Sequence, residues 1–518
     1  MAQRDAQPFA CSTASTGEAS PRFRPLPLSL RKRVGPAALA GTLTLSVLLA
    51  GCKPVGPNYA KPALTAPEAY RETGASSVAA PENPRGGAWS AANPSDGMLR
   101  GKWWEVYQDT QLNALEERIV TDNQNLRRAT EIYLSARDQV TVARAGLFPT
   151  VSASVSTGRS DLSENRPSAG TTTHYNDFVL GGQASWEPDF WGRIRRNIEA
   201  AGANVQASAA DVATLDLSLH AELAADYFQL RGLDATAQLL AQTIVTLENQ
   251  LKLAETRMTG GVATEADVAQ ARTQLETVRA QAVEIGVARA QFEHALATLT
   301  NQNAASFKLA ASPLNLALPK IPLGVPSQLL ERRPDIAAAE RRAAQANAQI
   351  GIAQSAFYPS LPLTAAGGFE STHSGTWLTG PSILWSLGAK ATEMLFDAGQ
   401  RHALTDAARH NYEAQAASYR ATVLDAFNGV EDQLSTLRIL EQESTVEQRA
   451  VASAQHSLDL ANQRYQGGVT SYLEVLTAET ALLNNQRTAI DLQTRQFVAN
   501  VGLVRTLGGG WDTTLLPK

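Results

Sequence analysis

His402, Asp406 and His410 stand at i, i+4 and i+8, a spacing that on a helix puts two imidazoles and a carboxylate on one face. A divalent metal could use that donor set. An ordinary solvated helix face accounts for it better, because such side chains belong mostly at surfaces. No further catalytic signature accompanies the three. The chain has no Walker phosphate loop, no G-x-S-x-G elbow, no dinucleotide-binding glycine set and no H-E-x-x-H. It reads as a non-enzyme with no resident metal, so any energy it uses must come from a partner.

A second set of chemically able residues surrounds two glycine pairs. Arg257-Met258-Thr259-Gly260-Gly261-Val262-Ala263-Thr264-Glu265-Ala266-Asp267-Val268 returns 207 residues later (464 − 257) as Arg464-Tyr465-Gln466-Gly467-Gly468-Val469-Thr470-Ser471-Tyr472-Leu473-Glu474-Val475. An internal repeat of this kind governs the architecture. Each pair breaks one helix and starts another, and the glycines are expected to supply the positive φ of a helix–helix turn. Ser471-x-x-Glu474 reads as a capping box, with the hydroxyl and the carboxylate satisfying free amides at the helix start. Thr264-x-x-Asp267 is a weaker version of the same device.

The elements that position these turns are long. Leu240, Ile244, Leu247, Leu251, Ala254 and Met258 fall at alternating spacings of four and three, a coiled-coil seam. After the break the seam resumes at Val268, Ala271, Leu275, Val278, Ala282 and Ile285. The second copy keeps the register at Val451, Ala454, Leu458, Ala461 and Tyr465, and again from Val475 to Leu492. Helix is predicted from Gly192 to about Met258 and from Gly399 to Tyr465, on the order of 100 Å each at 1.5 Å per residue. Such helices need lateral neighbours along their whole length. Asp109 to Gly146 is predicted as one further helix.

Between the helices the period changes to two. Val151, Ala153 and Val155 alternate with serines, and Phe178, Leu180, Gly182, Ala184 and Trp186 alternate with Gln183, Ser185 and Glu187. Leu361, Leu363 and Ala365, then Ile383, Trp385 and Leu387, do the same in the second half. Four strands near ten residues long, apolar on one face and carrying interfacial aromatics (Trp186 and Trp385), suit a transmembrane β-barrel. Two soluble hairpins would give the same pattern. Four strands cannot close a barrel around a channel, and open edges in lipid are forbidden by the cost of unsatisfied backbone groups. A membrane sheet of this chain therefore has to pair with other copies of it. With 18% charged residues, 6% aromatics and a net charge of −5, no basic stripe points to nucleic acid.

The start of the chain carries a different signal. Arg31-Lys32-Arg33 precedes an apolar run from Val34 to Leu49, too short and interrupted for a comfortable span. It ends in Leu49-Ala50-Gly51-Cys52, which resembles a bacterial lipobox with the Cys52 thiol as the lipid acceptor. Residues 1–51 are then a signal peptide, which removes Cys11, the one other cysteine, and leaves no disulfide or zinc–thiolate site. Residues 52–102, rich in Pro, Ala, Gly and Ser, read as an extended lipidated tether. The remaining organisation is a first repeat over 103–300, with a β-hairpin near 150–191 and a coiled-coil hairpin near 235–300. A proline-rich equatorial segment over 301–333 follows. The second repeat covers 334–507, with its hairpins near 360–396 and 440–507, and 508–518 is a tail.

Taken in order, several stretches resemble the outer-membrane factor family of TolC-like channels, and most closely its OprM and NodT lipoprotein branch. They are Cys52-Lys53-Pro54-Val55-Gly56-Pro57-Asn58-Tyr59, Trp103-Trp104 with Leu112-Asn113-Ala114-Leu115, Ala145-Gly146-Leu147-Phe148-Pro149, Trp186-Glu187-Pro188-Asp189-Phe190-Trp191-Gly192-Arg193, Glu331-Arg332-Arg333-Pro334-Asp335 and Phe357-Tyr358-Pro359. The resemblance implies a mixed α+β membrane protein. Three copies would build a twelve-stranded outer-membrane β-barrel above a long periplasmic α-helical barrel with an equatorial domain. It implies an exit duct for small amphipathic compounds, working with a periplasmic adaptor and an inner-membrane pump, often of the resistance-nodulation-division class. A duct for secreted polypeptides and a non-pore coiled-coil tether are the alternatives. Carried over by position, the gate comprises Tyr465, a link between neighbouring coils; Leu473, an apolar constriction; Glu474, a lumen-facing acid; and Thr477, with Asp267 at the first turn. Thr477 stands where relatives place an aspartate, which argues against a second acidic ring. In a trimer Glu474 would form a three-carboxylate ring that focuses the field in a narrow pore. The tips Gly260, Gly261, Val262, Gly467, Gly468 and Val469 are expected to receive the adaptor.

Overall fold

The computed structural model describes residues 53–64, 67, 69–73, 101–163, 174–314, 316–323 and 326–517. The signal segment, Cys52 and residues 74–100 of the expected tether lie outside the described residues.

Helices α1 (Thr110–Asp122) and α2 (Gln124–Ala145) occupy the stretch whose periodicity predicts one helix. Asn123 divides them. Its Oδ1 accepts from the amides of Asn125 and Leu126 at 2.9 and 3.1 Å, capping α2, while its Nδ2 donates to Leu299 O at 2.8 Å. A buried asparagine that satisfies both its own helix start and a distant carbonyl outcompetes helix continuation.

Strands β1 (Thr150–Asp161) and β2 (His174–Trp186) follow, then α3 (Arg193–Thr259) and α4 (Glu265–Leu299). After an irregular crossing come α5 (Pro334–Ser355), β3 (Leu363–Ser371), β4 (Ile383–Ala389), α6 (Gln400–Gln466) and α7 (Tyr472–Thr506). The halves match in order and length: α2 and α5 have 22 residues, α3 and α6 have 67, α4 and α7 have 35. Both long helices begin after a left-handed glycine, Gly192 (φ 82°) and Gly399 (φ 87°).

The strands form one antiparallel sheet in the order β1-β2-β3-β4. Its register sorts the two faces. One face carries the rows Val151–Ala184–Ala365–Leu387, Ala153–Gly182–Gly367–Trp385 and Val155–Leu180–Phe369–Ile383. The other carries Ser152–Gln183–Ala366–Ser386 and Ser154–Gly181–Gly368–Leu384. These three rows of the first face are entirely apolar, yet Val151, Trp385 and Leu387 are 78%, 74% and 75% exposed. Charged side chains appear on the strands only toward the far end, at Arg159, Asp161, Asp177 and Glu370. Trp186 sits at the basal rim. Trp385 lies opposite Gly367, four residues along β3 from Leu363, the partner of Trp186.

Below the sheet the helices form a layer. α3 packs against α2, α4, α5 and α7, whereas α6 packs chiefly against α5 and α7. A collar lies on one side of this layer. Trp103, Trp104 and Tyr107, α1 residues Leu112 and Ile119, and Phe307 and Leu309 of the crossing segment pack on Leu219, Leu223 and Tyr227 of α3 and on Phe497 and Val501 of α7.

The described part of the tether is docked rather than free. Buried Arg196 donates to Val55 O, Gly56 O and Asn58 Oδ1 at 3.1, 3.1 and 3.0 Å, and Tyr59 Oη donates to Glu340 Oε1 at 2.6 Å. Gly56 (φ 96°) passes so close to α5 that a Cβ there would lie 2.5 Å from Gly351 Cα. Carbonyls that saturate a buried guanidinium hold an otherwise extended segment in place.

Candidate functional site: the paired glycine turns

Helix α3 ends with Gly260 still right-handed (φ −77°) and Gly261 left-handed (φ 74°). The Gly261 amide donates to Met258 O at 3.0 Å and the Val262 amide to Arg257 O at 2.9 Å. These crossed bonds are a Schellman ending. The second turn repeats it with Gly467 (φ −73°) and Gly468 (φ 75°), whose amide donates to Tyr465 O at 3.0 Å, while Val469 N donates to Arg464 O at 2.9 Å. Positive φ is thus a property of the second glycine of each pair alone, because the first still completes the helix. Gly260→Ala is expected to be neutral or slightly stabilising, since its Cβ meets nothing nearer than 3.5 Å. Gly261→Ala costs about 1–2 kcal/mol of backbone strain. Hydrogen exchange at Val262 and Ala263 checks this: Gly261→Ala accelerates it roughly tenfold and Gly260→Ala does not.

The two caps are opposite to expectation. Thr264 and Asp267 make the complete capping box: Asp267 Oδ2 accepts from Thr264 N at 2.9 Å, and Thr264 Oγ1 accepts from Asp267 N at 3.3 Å. Ser471 makes no side-chain cap. Glu474 instead reaches Arg464 Nη1 at 3.3 Å, an exposed pair contributing little to stability. The arginine one turn before the glycines draws the carboxylate away from the helix start. Thr264→Ala should therefore destabilise the first turn by about 1 kcal/mol, and Ser471→Ala leave the second unchanged, in the same exchange experiment.

Above the turns the two hairpins pack on each other through Ala254, Val268, Ala271, Leu458, Ala461, Tyr465, Tyr472 and Val475. Met258, expected in the seam, is 37% exposed at the frayed helix end. Arg257 joins the hairpins. Its guanidinium carbon stands 4.5 Å from the centre of the Tyr465 ring, and Nη1 donates to Tyr465 O at 3.1 Å. That carbonyl ends α6, where the helix dipole favours a cation. The Tyr465 and Tyr472 rings meet at 5.5 Å, and Tyr472 Oη donates to Gln250 Oε1 at 3.0 Å. Burial raises both phenols, and for Tyr465 the Arg257 charge opposes it. Tyr465 Oη is buried with no hydrogen-bond partner among the described residues. Glu479 is also buried in this seam, and desolvation pushes its carboxyl up to about 7 against a hydrogen bond with Gln250.

The sequence-predicted residues divide into two groups. Tyr465 lies inside the hairpin seam. Leu473 and Glu474 project from it, and exposed Thr477 returns its Oγ1 to Leu473 O at 2.8 Å. Asp267 is occupied by its cap. Val262 and Val469 are exposed at the tips at 71% and 72%. Sequence reasoning missed Arg257, Tyr472, Gln250 and Glu479. Arg257 had a signal, since it precedes its glycine pair at the position of Arg464. His402 packs edge-on against Phe357 and Asp406 pairs with Arg409, so the metal-like triplet does not converge. Among the described residues no group of three His, Cys, Asp or Glu side chains could hold a metal.

A family model described as outer membrane efflux protein matches residues 115–302 and 325–509. The pyoverdine export outer membrane protein OpmQ of Pseudomonas aeruginosa is 31% identical over 447 residues, covering 85% of this chain and 93% of its own. The antibiotic efflux pump outer membrane protein ArpC of Pseudomonas putida is 30% identical over 481 residues, covering 92% and 96%. Among solved structures, the outer-membrane channel OprN aligns with a TM-score of 0.79 at 28% identity, covering 88% of this chain and 99% of that one. The open-state MtrE channel of Neisseria gonorrhoeae aligns with a TM-score of 0.75 at 27% identity, covering 89% and 99%. A sheet with an uncovered apolar face, set on paired helices that end in interlocked turns, is what such channels are made of, and the chain belongs to the outer membrane efflux protein family: it is an outer-membrane efflux channel that extends into the periplasm.

Proposed function

We propose that three copies of this chain close a twelve-stranded β-barrel over a helical barrel and serve as the exit duct for small amphipathic compounds. The observation that carries the proposal is the lone four-stranded sheet, apolar on one face and open at β1 and β4. In lipid, unsatisfied edge groups cost several kcal/mol each, so β4 of one copy pairs with β1 of the next. The helices carry the same asymmetry. α6 exposes Leu404, Leu424, Val446 and Leu460, while α2 and α4 expose Ile132, Val142, Val283 and Val287. Contact between these unlike flanks is heterologous and closes into a ring. Two copies would give eight strands and an interior filled by side chains, whereas three leave a water-filled lumen.

In this reading the glycine tips receive a periplasmic adaptor, an inner-membrane pump of the resistance-nodulation-division class supplies the energy, and Cys52 carries a lipid anchor. Leu473 and Glu474 line the closed end, and Tyr465 links the coils behind them. The cargoes named for the relatives, a pyoverdine and antibiotics, support a small-molecule duct. Purified oligomer in planar bilayers should give a small single-channel conductance. Silence from a verified, folded oligomer would turn the reading toward a tether that forms no pore.

A further inference from the structure

We infer that the helical wall at collar height carries a subsite for zwitterionic amphiphiles, with Glu222 and Asp226 of α3 facing an ammonium and Arg495 and Arg505 of α7 facing an acid group. The subsite rests on the proposed barrel, because that closure makes its location the conduit.

A cavity of about 570 Å³ opens between α3, α6 and α7. Its α3 lining includes Ser218, Glu222, Asp226 and Gln229, whereas the collar packs on Leu219, Leu223 and Tyr227. On α7 the cavity and the collar share Val498 and Val501, and Arg495 and Arg505 belong to the cavity alone. Glu222 and Asp226 each precede a collar residue by one position and so point about 100° around α3 from it. The cavity adjoins the collar core and turns its acidic wall away from it. The bulky collar has room only on the convex side of the proposed barrel, and we place the charged walls toward the lumen.

The charges on its walls are unspent. Glu222, Asp226 and Arg505 have no hydrogen-bond or ion-pair partner for their side chains among the described residues, and Arg495 reaches only Asp491, at 3.7 Å on an exposed surface. No ion pair joins the acidic wall to the basic one. Between the walls lie Leu440, which is 1% exposed, and Val498. Burial, and then the like charge of Glu222, push the Asp226 carboxyl up to about 6. A bound ammonium relieves the second cause directly. A solute with an ammonium, an acid group and an apolar body satisfies both walls and the floor at once, whereas a neutral solute of the same body leaves all four charges as they were. Three copies would place three such subsites around the conduit.

One indole body in four charge states tests this: tryptophan, tryptamine, indole-3-propionate and indole. Saturation-transfer NMR on detergent-solubilised protein reads binding without needing a pore, and dwell times of current block in bilayers read it within one. Tryptophan should bind about tenfold more tightly than indole, as expected for two charge-assisted contacts partly screened by water. Asp226→Asn should reduce tryptophan to the level of indole-3-propionate, and Arg505→Gln to that of tryptamine. Equal binding of the four probes, or variants that alter none of them, would overturn the subsite. NMR binding with the expected order but no conductance from any variant would overturn the conduit and leave a surface site.

Discussion

Arg257→Ala is expected to raise the single-channel conductance several-fold and to hold the channel open for longer. Among the described residues the guanidinium is the one cationic group that crosses from the first hairpin tip to the second, gripping the Tyr465 ring and its carbonyl together. A charge-assisted hydrogen bond and a cation–π contact together give roughly 2 kcal/mol, and partial exposure reduces this to about 1–2 kcal/mol per copy. In the proposed three-fold ring the copies act together, so the closed-to-open ratio falls by about 3–6 kcal/mol, or roughly 10²–10⁴-fold. Two companion variants locate the effect. Tyr465→Phe keeps the ring and the cation–π contact and removes only the hydroxyl, which has no partner within the described chain. It opens the channel only if a neighbouring copy accepts that hydrogen bond. Glu474→Ala removes an exposed ion pair from each copy and, in the proposed trimer, a ring of three carboxylates, so it should lower cation selectivity more than it changes open time. A conductance unchanged by Arg257→Ala would place the closure elsewhere than at these turns.

The parts of the molecule legible in the sequence are those fixed by short-range pattern. The two 67-residue helices were visible because a glycine stands at each end and a coiled-coil seam runs into the second of them. The strands were visible because parity alone sorts Val151, Ala153 and Val155 from the serines between them. What pattern could not supply was partnership at long range. Arg257 and Tyr465 are 208 residues apart, and only the packing of one hairpin on the other brings them together. The same limit applies to Val55–Tyr59, whose composition reads as a tether because nothing local reveals that Arg196 collects its carbonyls. Capping failed for a subtler reason. Ser471-x-x-Glu474 has the better letters, but Arg464 offers the carboxylate a competing partner, while Arg257 at the equivalent place is held by Tyr465 and leaves Asp267 to its cap. Asn123 likewise looked like a neutral helix residue until Leu299 O gave its amide a partner.

Ala365→Arg should abolish assembly of the channel in the outer membrane, and Ala366→Arg should leave it intact. The residues are neighbours on β3 with the same side chain, so helix propensity, size and chain position cancel between them. Ala365 stands in the row Val151–Ala184–Ala365–Leu387 among the apolar rows of one face, and Ala366 in the row Ser152–Gln183–Ala366–Ser386 on the other. An arginine facing lipid near the midplane costs about 2–4 kcal/mol, less toward the interface. In the proposed trimer that becomes about 6–12 kcal/mol, comparable to the whole stability of an ordinary domain. An arginine on the second face meets water and the polar row, and there it changes ion selectivity rather than folding. The heat-sensitive oligomer band in outer-membrane fractions checks both variants in one gel. Loss of the band in Ala365→Arg alone assigns the apolar face to lipid. Tolerance of both arginines would mean that the sheet never enters the bilayer, and loss of both would mean that this strand is too tightly packed for its faces to be told apart by charge.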